Sequence, residues 1–200
     1  MNFDIAELGA QENYRLLVGG VTPRPIAWIS TQSKDGVDNL APYSFFTVAS
    51  CNPPVLLYTQ VNQRSGIDKD TLQNLLETGE CVVNIVNSHL MAKANQTSAS
   101  IGIEESEFDL ASVEHCSSKM VMPSSVKDSP VRYECTLRET ITLGNLPTGG
   151  TIVLLDVKSV YVRDDLYNDG SINQELIDSV GKMGGDGFSY TTKYVELKRP

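Results

Sequence analysis

A group of basic and polar residues near the middle of the chain has the composition of an anion-binding site. The group consists of Arg64, Lys69, Asp70, Thr71 and Asn74. An apolar pattern that predicts a helix over 71–78 begins within it. The free N–H groups of a helix start attract anions, and nearby hydroxyls and cations add to that attraction. Because a helix cap needs the same residue types, the local sequence leaves two interpretations open, a phosphate site and a capped surface helix.

A second polar group surrounds a proline in the segment 39–48. The β-rich run 26–31 and an Asp-Gly turn signal precede this segment, so it is predicted to be the returning strand of a hairpin. A proline inside a strand lacks an amide hydrogen and is confined to edges and bulges. We therefore expect an edge or a bulge at Pro42. Its polar neighbours would then be free to bond something other than a strand, namely Asn39, Tyr43 and Ser44.

The elements that must position these residues form a β-rich pattern. Further strands are predicted over 55–58, 81–86, 131–143 and 151–162, and helices over 71–78 and 89–95. The strand 131–143 alternates most cleanly, with one apolar face made of Val131, Tyr133, Cys135, Leu137, Ile141 and Leu143. About six strands with hairpin links predict an antiparallel barrel rather than a doubly wound sheet. The serine-rich segment 96–130 is irregular, and a stretch of that length usually covers a site or an interface.

Six short motifs follow one another along the chain. They are PRPIAWIST at 23–31, NLAPYSFF at 39–46, SCNPP at 50–54, KDTLQN at 69–74, GECVVN at 79–84 and MGG at 183–185. Together they resemble the flavin-reductase-like family of FMN-binding split barrels. The resemblance spans nearly the whole chain and implies one domain over 1–200. It implies a mainly β fold with short helices, a six-stranded antiparallel Greek-key split β-barrel with peripheral helices.

The resemblance also implies a set of residues that contact non-covalently bound FMN. It favours the phosphate interpretation for Arg64, Lys69, Asp70, Thr71 and Asn74, and it places the flavin ring beside Ser30, Thr31, Asn39, Ala41, Tyr43, Ser44 and Phe45. Lys93 matches a family position near the ring. Asn84 interrupts an apolar strand, and its amide must bond either the flavin or neighbouring backbone. Trp28 is expected in the core. The Gly-rich tail around Met183 and Tyr190 either borders the flavin or is a flexible end.

The activity that the resemblance implies is hydride transfer from NADH or NADPH to FMN, with electrons passed on to a small-molecule acceptor. Free flavin, a ferric complex and an organic oxidant are the acceptor classes considered, and no catalytic side chain is assigned. A homodimer is implied, with the flavin near the subunit interface. Three alternatives stay open. They are an FMN-binding electron carrier or flavin store without reductase activity, a split barrel for another phosphate ligand such as pyridoxal phosphate, and a structural dimer module.

Composition and motif content argue against several other functional classes. The net charge of -9 argues against nucleic acid and anionic membranes as partners. The amino-terminal residues contain acids and no long apolar run, so a cytoplasmic protein is expected. The four cysteines show no C-x-x-C spacing and are expected to be buried thiols. With two histidines and no H-E-x-x-H motif, no metal site is expected. G-x-G-x-x-G, P-loop and G-x-S-x-G motifs do not occur.

Overall fold

The structure is a computed structural model that describes residues 1–62 and 69–199. After a short 3-10 turn at Ile5–Glu7, the described elements run in the following order. They are α1 (Ala10–Gly20), β1 (Arg24–Pro25), β2 (Ala27–Gln32), β3 (Asp38–Tyr43), β4 (Phe46–Cys51), β5 (Pro54–Val61), α2 (Asp70–Thr78), β6 (Glu80–Ile85), α3 (Met91–Gln96), α4 (Glu107–Leu110), β7 (His115–Cys116), β8 (Ser125–Val126), β9 (Val131–Thr142), β10 (Gly150–Val162), β11 (Tyr167–Asn168), β12 (Ser171–Ile172), α5 (Gln174–Ile177), β13 (Val180–Lys182) and β14 (Phe188–Tyr190).

The principal sheet is antiparallel and has the strand order β3-β2-β6-β9-β10-β5-β4. Its two edge strands, β3 and β4, are joined by Ser44 and Phe45 alone. In a flat sheet of this order the edges would lie about 29 Å apart. The link between Tyr43 and Phe46 spans at most about 11 Å. The sheet must therefore curl until its edges meet. Phe45 already continues the β4–β5 ladder beyond the Phe46–Tyr58 pair, because Thr59 N–H donates to its carbonyl at 2.7 Å.

The curled sheet separates two apolar cores. The inner core combines alternate residues of the barrel strands, including Tyr43, Tyr58 and Val83, with Leu72 and Leu75 of α2. The outer core surrounds Trp28, which is fully buried, and is completed by Phe108 and other residues of the 96–130 segment. The irregular segment therefore packs over the outer face of β2 and β6. Trp28 is a core residue as expected, and its Nε1 donates to the Thr97 hydroxyl at 2.8 Å.

Several sequence predictions are confirmed. The fold is mainly β and antiparallel, with short helices around it. Helix α2 ends where Gly79 adopts a left-handed conformation with φ of 76°, the conformation that glycine accepts most readily. Pro42 lies on an edge strand. Leu40 N–H points outward from β3 to a side chain, and the alternation of the strand gives the Pro42 nitrogen the same outward direction.

The predicted count of six strands is not confirmed, since the principal sheet has seven strands within the described ranges. The segment 39–48 was predicted as one kinked strand, whereas it forms β3 and β4 at opposite edges of the sheet. The change of direction at Ser44 and Phe45 closes the barrel. A local hydrophobic pattern cannot show such a step, because both halves have strand-like composition.

The prediction for the apolar face of 131–143 is correct at one end only. Val131 and Cys135 are fully buried, but Ile141 is 41% exposed because its end of the hairpin extends beyond the barrel. The register shifts twice between β9 and β10, at Leu154/Leu155 and at Val157/Ser159. On the outward face, Glu134 is buried where it accepts the N–H groups of Lys119 and Met120 at 2.9 and 2.6 Å.

Smaller corrections concern helix starts, thiols and the tail. Helix α2 begins at Asp70, one residue before the predicted start, and α3 begins at Met91 instead of His89. All four cysteines are free thiols, and Cys81 and Cys135 are buried as expected, but Cys51 is exposed on the edge strand β4. The Gly-rich tail is not a flexible end over 180–190, because β13 pairs with both β1 and β14. No helix within the described ranges has the length and apolar character needed to span a membrane.

Candidate functional site

Four of the proposed site residues meet in one buried hydrogen-bond network. The hairpin register places Thr31 opposite Asn39, and the first turn of α2 brings Thr71 against the same pair. Oδ1 of Asn39 accepts the hydroxyls of Thr71 at 2.8 Å and Thr31 at 3.3 Å. The Asn74 side chain donates to the Thr31 oxygen at 3.2 Å. Residues from two strands and a helix are thus fixed at one end of the barrel.

Glu107 completes this network from the 96–130 segment. Its Oε2 accepts Nδ2 of Asn39 at 2.8 Å and the backbone N–H of Leu40 at 2.9 Å. Only 5% of the residue is exposed. Burial raises the pKa of the Glu107 carboxyl, while the two N–H donors act in the opposite direction. Glu107 is not predicted from the sequence, because nothing in the local sequence around it indicates contact with Asn39.

Lys69 brings a positive charge to the same end of the barrel. Its Nζ lies 5.2 Å from the centre of the Tyr43 ring, a cation-π distance. Burial lowers the pKa of Lys69, and the Glu107 charge partly opposes that change. The Tyr43 hydroxyl donates to Oε1 of Gln60 at 3.3 Å, and burial raises the Tyr43 pKa well above its ordinary range. Lys69 forms no ion pair with any residue of the described ranges.

The start of α2 has the donor chemistry of an anion site. The Lys69 carbonyl accepts the N–H groups of Leu72 and Gln73, which leaves the earlier amides of Asp70 and Thr71 without helical partners. These amides and the Lys69 ammonium match the donors that hold phosphate groups, while the Thr71 hydroxyl, whose proton goes to Asn39, anchors the helix start. The carboxyl of Asp70 lies beside them, and burial raises its pKa. Arg64, the other cation proposed for this site, lies outside the described residues.

Ser44 and Phe45 form a corner with Arg24, which the sequence analysis did not assign. Nε of Arg24 donates to the Ser44 hydroxyl at 3.3 Å, and its guanidinium lies 5.9 Å from the Phe45 ring centre. The same guanidinium donates to the carbonyls of Val18, Val21 and Met183. Arg24 is 7% exposed. It therefore joins the end of α1, the β3–β4 corner and the β13–β14 turn.

A cleft of about 170 Å³ opens beside this corner. Its lining residues are Ile26, Pro42, Tyr43, Ser44, Ala94, Asn95, Ser98, Lys182 and Phe188. Nζ of Lys182 lies 4.6 Å from the Phe188 ring centre and also donates to the Gly185 and Gly187 carbonyls. Burial lowers the Lys182 pKa. Apolar walls with a few polar groups are typical of sites for small molecules.

The remaining proposed residues take no part in the hydrogen-bond network around Asn39. Ser30 points to the opposite face from Thr31 and donates to the Ser124 carbonyl at 2.6 Å. Asn84 donates to the Trp28 carbonyl and accepts Val126 N–H, both at 2.9 Å, so its amide bonds neighbouring backbone. Lys93 donates to the Ser112 carbonyl at 2.6 Å. Ala41 lies in the inner core. Within the described ranges, no group of three or more His, Cys, Asp and Glu side chains is arranged to hold a metal ion.

Comparisons with known proteins match this chain over nearly its full length. The family model described as "Flavin reductase like domain" matches residues 19–177. The uncharacterized protein BH2278 of Halalkalibacterium halodurans is 35% identical over 202 aligned residues, which cover 100% of this chain and 97% of that protein.

Two solved structures are similar in fold. Nitrilotriacetate monooxygenase component B from Bacillus cereus superposes with a TM-score of 0.93 at 32% identity, and the match covers 98% of each chain. The 2-nitrobenzoate 2-nitroreductase NbaA of Pseudomonas fluorescens gives a TM-score of 0.90 at 25% identity, covering 100% of this chain and 96% of that one.

Proposed function

The chain belongs to the flavin-reductase-like family, and from this premise we propose that it binds FMN non-covalently and acts as an oxidoreductase. The observation that carries the proposal is the convergence of Lys69, Thr71, Thr31 and Asn39 at one end of the barrel. These residues come from separate segments. Lys69 supplies the charge that a phosphate monoester requires. The hydrogen bonds of Thr71 and Thr31 to Asn39 fix the helix start, whose backbone N–H groups supply the donors.

The phosphate is assigned to the start of α2. Lys69 supplies the cation, and the amides of Asp70 and Thr71 supply backbone donors. Asn39 accepts the Thr71 hydroxyl, and Asn74 donates to the Thr31 oxygen, so both threonine side chains are held in place. A half-buried ammonium with a lowered pKa gains from the arrival of an anion, because the anion stabilises its charged form.

The flavin ring is assigned to the neighbourhood of the β3–β4 corner. Pro42, Tyr43 and Ser44 form one wall of the cleft, and Phe188 closes it from the β13–β14 hairpin. Bound FMN would supply the hydride chemistry itself. The chain's own residues would bind it, exclude water from one side and orient it. Arg24 fixes the corner by its bonds to α1 and to the tail hairpin.

We extend the proposal to the donor and the acceptor. NADH or NADPH would deliver the hydride transiently, and a small molecule would take up the electrons. The nitrilotriacetate monooxygenase component and the nitrobenzoate nitroreductase support this choice, since each is named for chemistry on a small organic compound. Free flavin, a ferric complex and an organic oxidant are the acceptors to assay.

A homodimer with the flavin near its interface is part of the proposal. Exposed apolar side chains at the tip of the β9–β10 hairpin support it, since Ile141, Leu143 and Leu146 are 41, 68 and 78% exposed. Apolar surface of this kind is often covered by another subunit. Sedimentation equilibrium of the wild type and of Leu143→Glu tests the assignment. A wild-type monomer would contradict it.

An absorption spectrum tests the cofactor assignment. The protein is reconstituted with FMN, desalted and scanned from about 300 to 550 nm, the range of the flavin bands. Retained flavin bands that bleach on anaerobic addition of NADH or NADPH support the reductase. Bands that are retained but do not bleach identify an electron carrier or a flavin store. Loss of all flavin on desalting contradicts the cofactor assignment.

A further inference from the structure

Glu107 is the carboxylate that reaches the Asn39 network from outside the barrel. It is carried on the short helix α4, far along the chain from the strand β3 that it contacts. A buried carboxylate is costly unless donors satisfy it, and Glu107 receives two at a single oxygen. The two donors stabilise the Glu107 carboxylate, and the carboxylate in turn holds both donors in place.

The constraint acts on the direction of the hydrogen bonds. An ionised carboxylate only accepts hydrogen bonds, so the side of the Asn39 amide that faces Glu107 must be Nδ2. Oδ1 then faces the threonines, and the hydroxyl protons of Thr31 and Thr71 are both directed at it. Without Glu107, the Asn39 amide could rotate by half a turn and present Nδ2 to Thr71 instead. The Thr71 hydroxyl would then point elsewhere.

We propose that Glu107 is a positioning residue of the flavin site, which orders Asn39 and the start of α2 for the phosphate. This inference depends on the proposed FMN binding. Glu107 acts through Asn39, Leu40 and Thr71 and does not itself bind the cofactor. The 96–130 segment thereby gains a role in the site, because α4 holds the carboxylate that sets the orientation of the network.

Substitutions of Glu107 separate its possible contributions. Glu107→Gln can present Oε1 where Oε2 lies, so it keeps both hydrogen bonds and removes the charge. Glu107→Ala removes the acceptor, and Glu107→Asp keeps the charge but withdraws the acceptor by one carbon. Glu134→Ala is the matched control, because Glu134 is also a buried glutamate that accepts two backbone N–H groups from the 96–130 segment.

The measurement is the dissociation constant for FMN and for riboflavin, which lacks the phosphate, by fluorescence quenching. We expect Glu107→Ala and Glu107→Asp to weaken FMN binding about tenfold and riboflavin binding much less. Glu107→Gln should restore FMN affinity to within about threefold of the wild type, and Glu134→Ala should change neither ligand by more than that. A folded Glu107→Asp gives the answer even if Glu107→Ala does not fold.

The outcomes distinguish the two proposals. If the wild type binds neither ligand, the proposed function fails, and this inference fails with it. If the wild type binds FMN while Glu107→Ala or Glu107→Asp binds it equally well, this inference alone is wrong. Equal weakening of FMN and riboflavin, or the same loss in Glu134→Ala, would show a general loosening of the fold and would also overturn it.

Discussion

The hydroxyl of Thr71 donates to Oδ1 of Asn39 over 2.8 Å, and this hydrogen bond joins the first turn of α2 to the edge strand β3. The two residues are 32 positions apart in the sequence. An edge strand has one row of backbone groups without a neighbouring strand, and a helix start has free N–H groups. The bond therefore connects two regions that each have unused hydrogen-bonding capacity. Such regions are suited to hold a polar ligand.

Thr71→Val tests this connection without changing the shape of the side chain. Loss of the donor leaves the buried Asn39 oxygen with one long bond to Thr31, so we expect the free energy of unfolding to fall by about 1–2 kcal/mol. Thr78→Val is the control on the same helix, because the Thr78 hydroxyl donates to the Asn74 carbonyl within α2 and joins no second element among the described residues. That change should cost about 0.5 kcal/mol or less. Urea unfolding measures both, and equal losses would contradict the special role of Thr71.

The sequence predicted the parts of the site that depend on local structure. A turn signal with strand patterns on either side places Thr31 opposite Asn39, and a helix start places Thr71 one turn before Asn74. The alternation of side chains along a strand also distinguishes Ser30 from Thr31, whereas the resemblance assigned both residues to the flavin. Ser30 and Thr31 are adjacent in β2, so they point to opposite faces and belong to different cores.

The parts that were not predicted depend on long-range packing. Glu107 contacts Leu40 across 67 residues of sequence, and the irregular segment that carries it has no strong periodic pattern. Arg24 stands in the PRPIAWIST motif, but its role depends on the end of α1 and on the Met183 carbonyl. The order of the strands, with β3 and β4 at opposite edges, also follows from tertiary packing rather than from any local pattern.

Arg24 is expected to be among the most sensitive positions outside the α2 site. Arg24→Met keeps much of the side-chain volume but leaves three backbone carbonyls and the Ser44 hydroxyl without their donor. We expect the free energy of unfolding to fall by about 2–4 kcal/mol. Arg163→Met is the control, because Arg163 forms an exposed ion pair with Asp165, and it should cost less than about 1 kcal/mol. Similar urea midpoints for the two variants would contradict this account.

Alanine substitutions at two glycines without close neighbours test the effect of backbone conformation on stability without adding a steric contact. A Cβ added at Gly79 or at Gly20 would meet no atom within 4 Å. Gly79 has φ of 76°, so Gly79→Ala should cost about 1 kcal/mol. Gly20 is the last residue of α1 and does not have a positive φ, so Gly20→Ala should stabilise by about 0.4–1 kcal/mol through the lower entropy of the unfolded chain. Thermal and urea unfolding measure both signs. Destabilisation by Gly20→Ala would show that the end of α1 is not helical in solution.

Lys69→Met should weaken FMN binding without lowering the free energy of unfolding. Burial lowers the Lys69 pKa from its ordinary value of 10.5, so the folded chain disfavours the ammonium that it contains. Removal of this charge should leave the free energy of unfolding unchanged or raise it by up to about 1 kcal/mol. FMN binding should weaken about tenfold to hundredfold, because a charge-assisted hydrogen bond to the phosphate is lost, and riboflavin binding should stay within about threefold.

The pH dependence of FMN binding gives a second readout for Lys69. An anion binds the ammonium form, so FMN affinity of the wild type should fall as the pH rises through the Lys69 pKa, at a pH below 10.5. Lys69→Met should lose this decline. Lys34→Met is the control, because Lys34 is an exposed lysine whose Nζ lies 3.8 Å from Oε2 of Glu77 in α2. This variant should keep the wild-type FMN affinity and its decline with rising pH. If Lys34→Met and Lys69→Met weaken FMN equally, general surface charge attracts the cofactor, and the start of α2 is not its phosphate site.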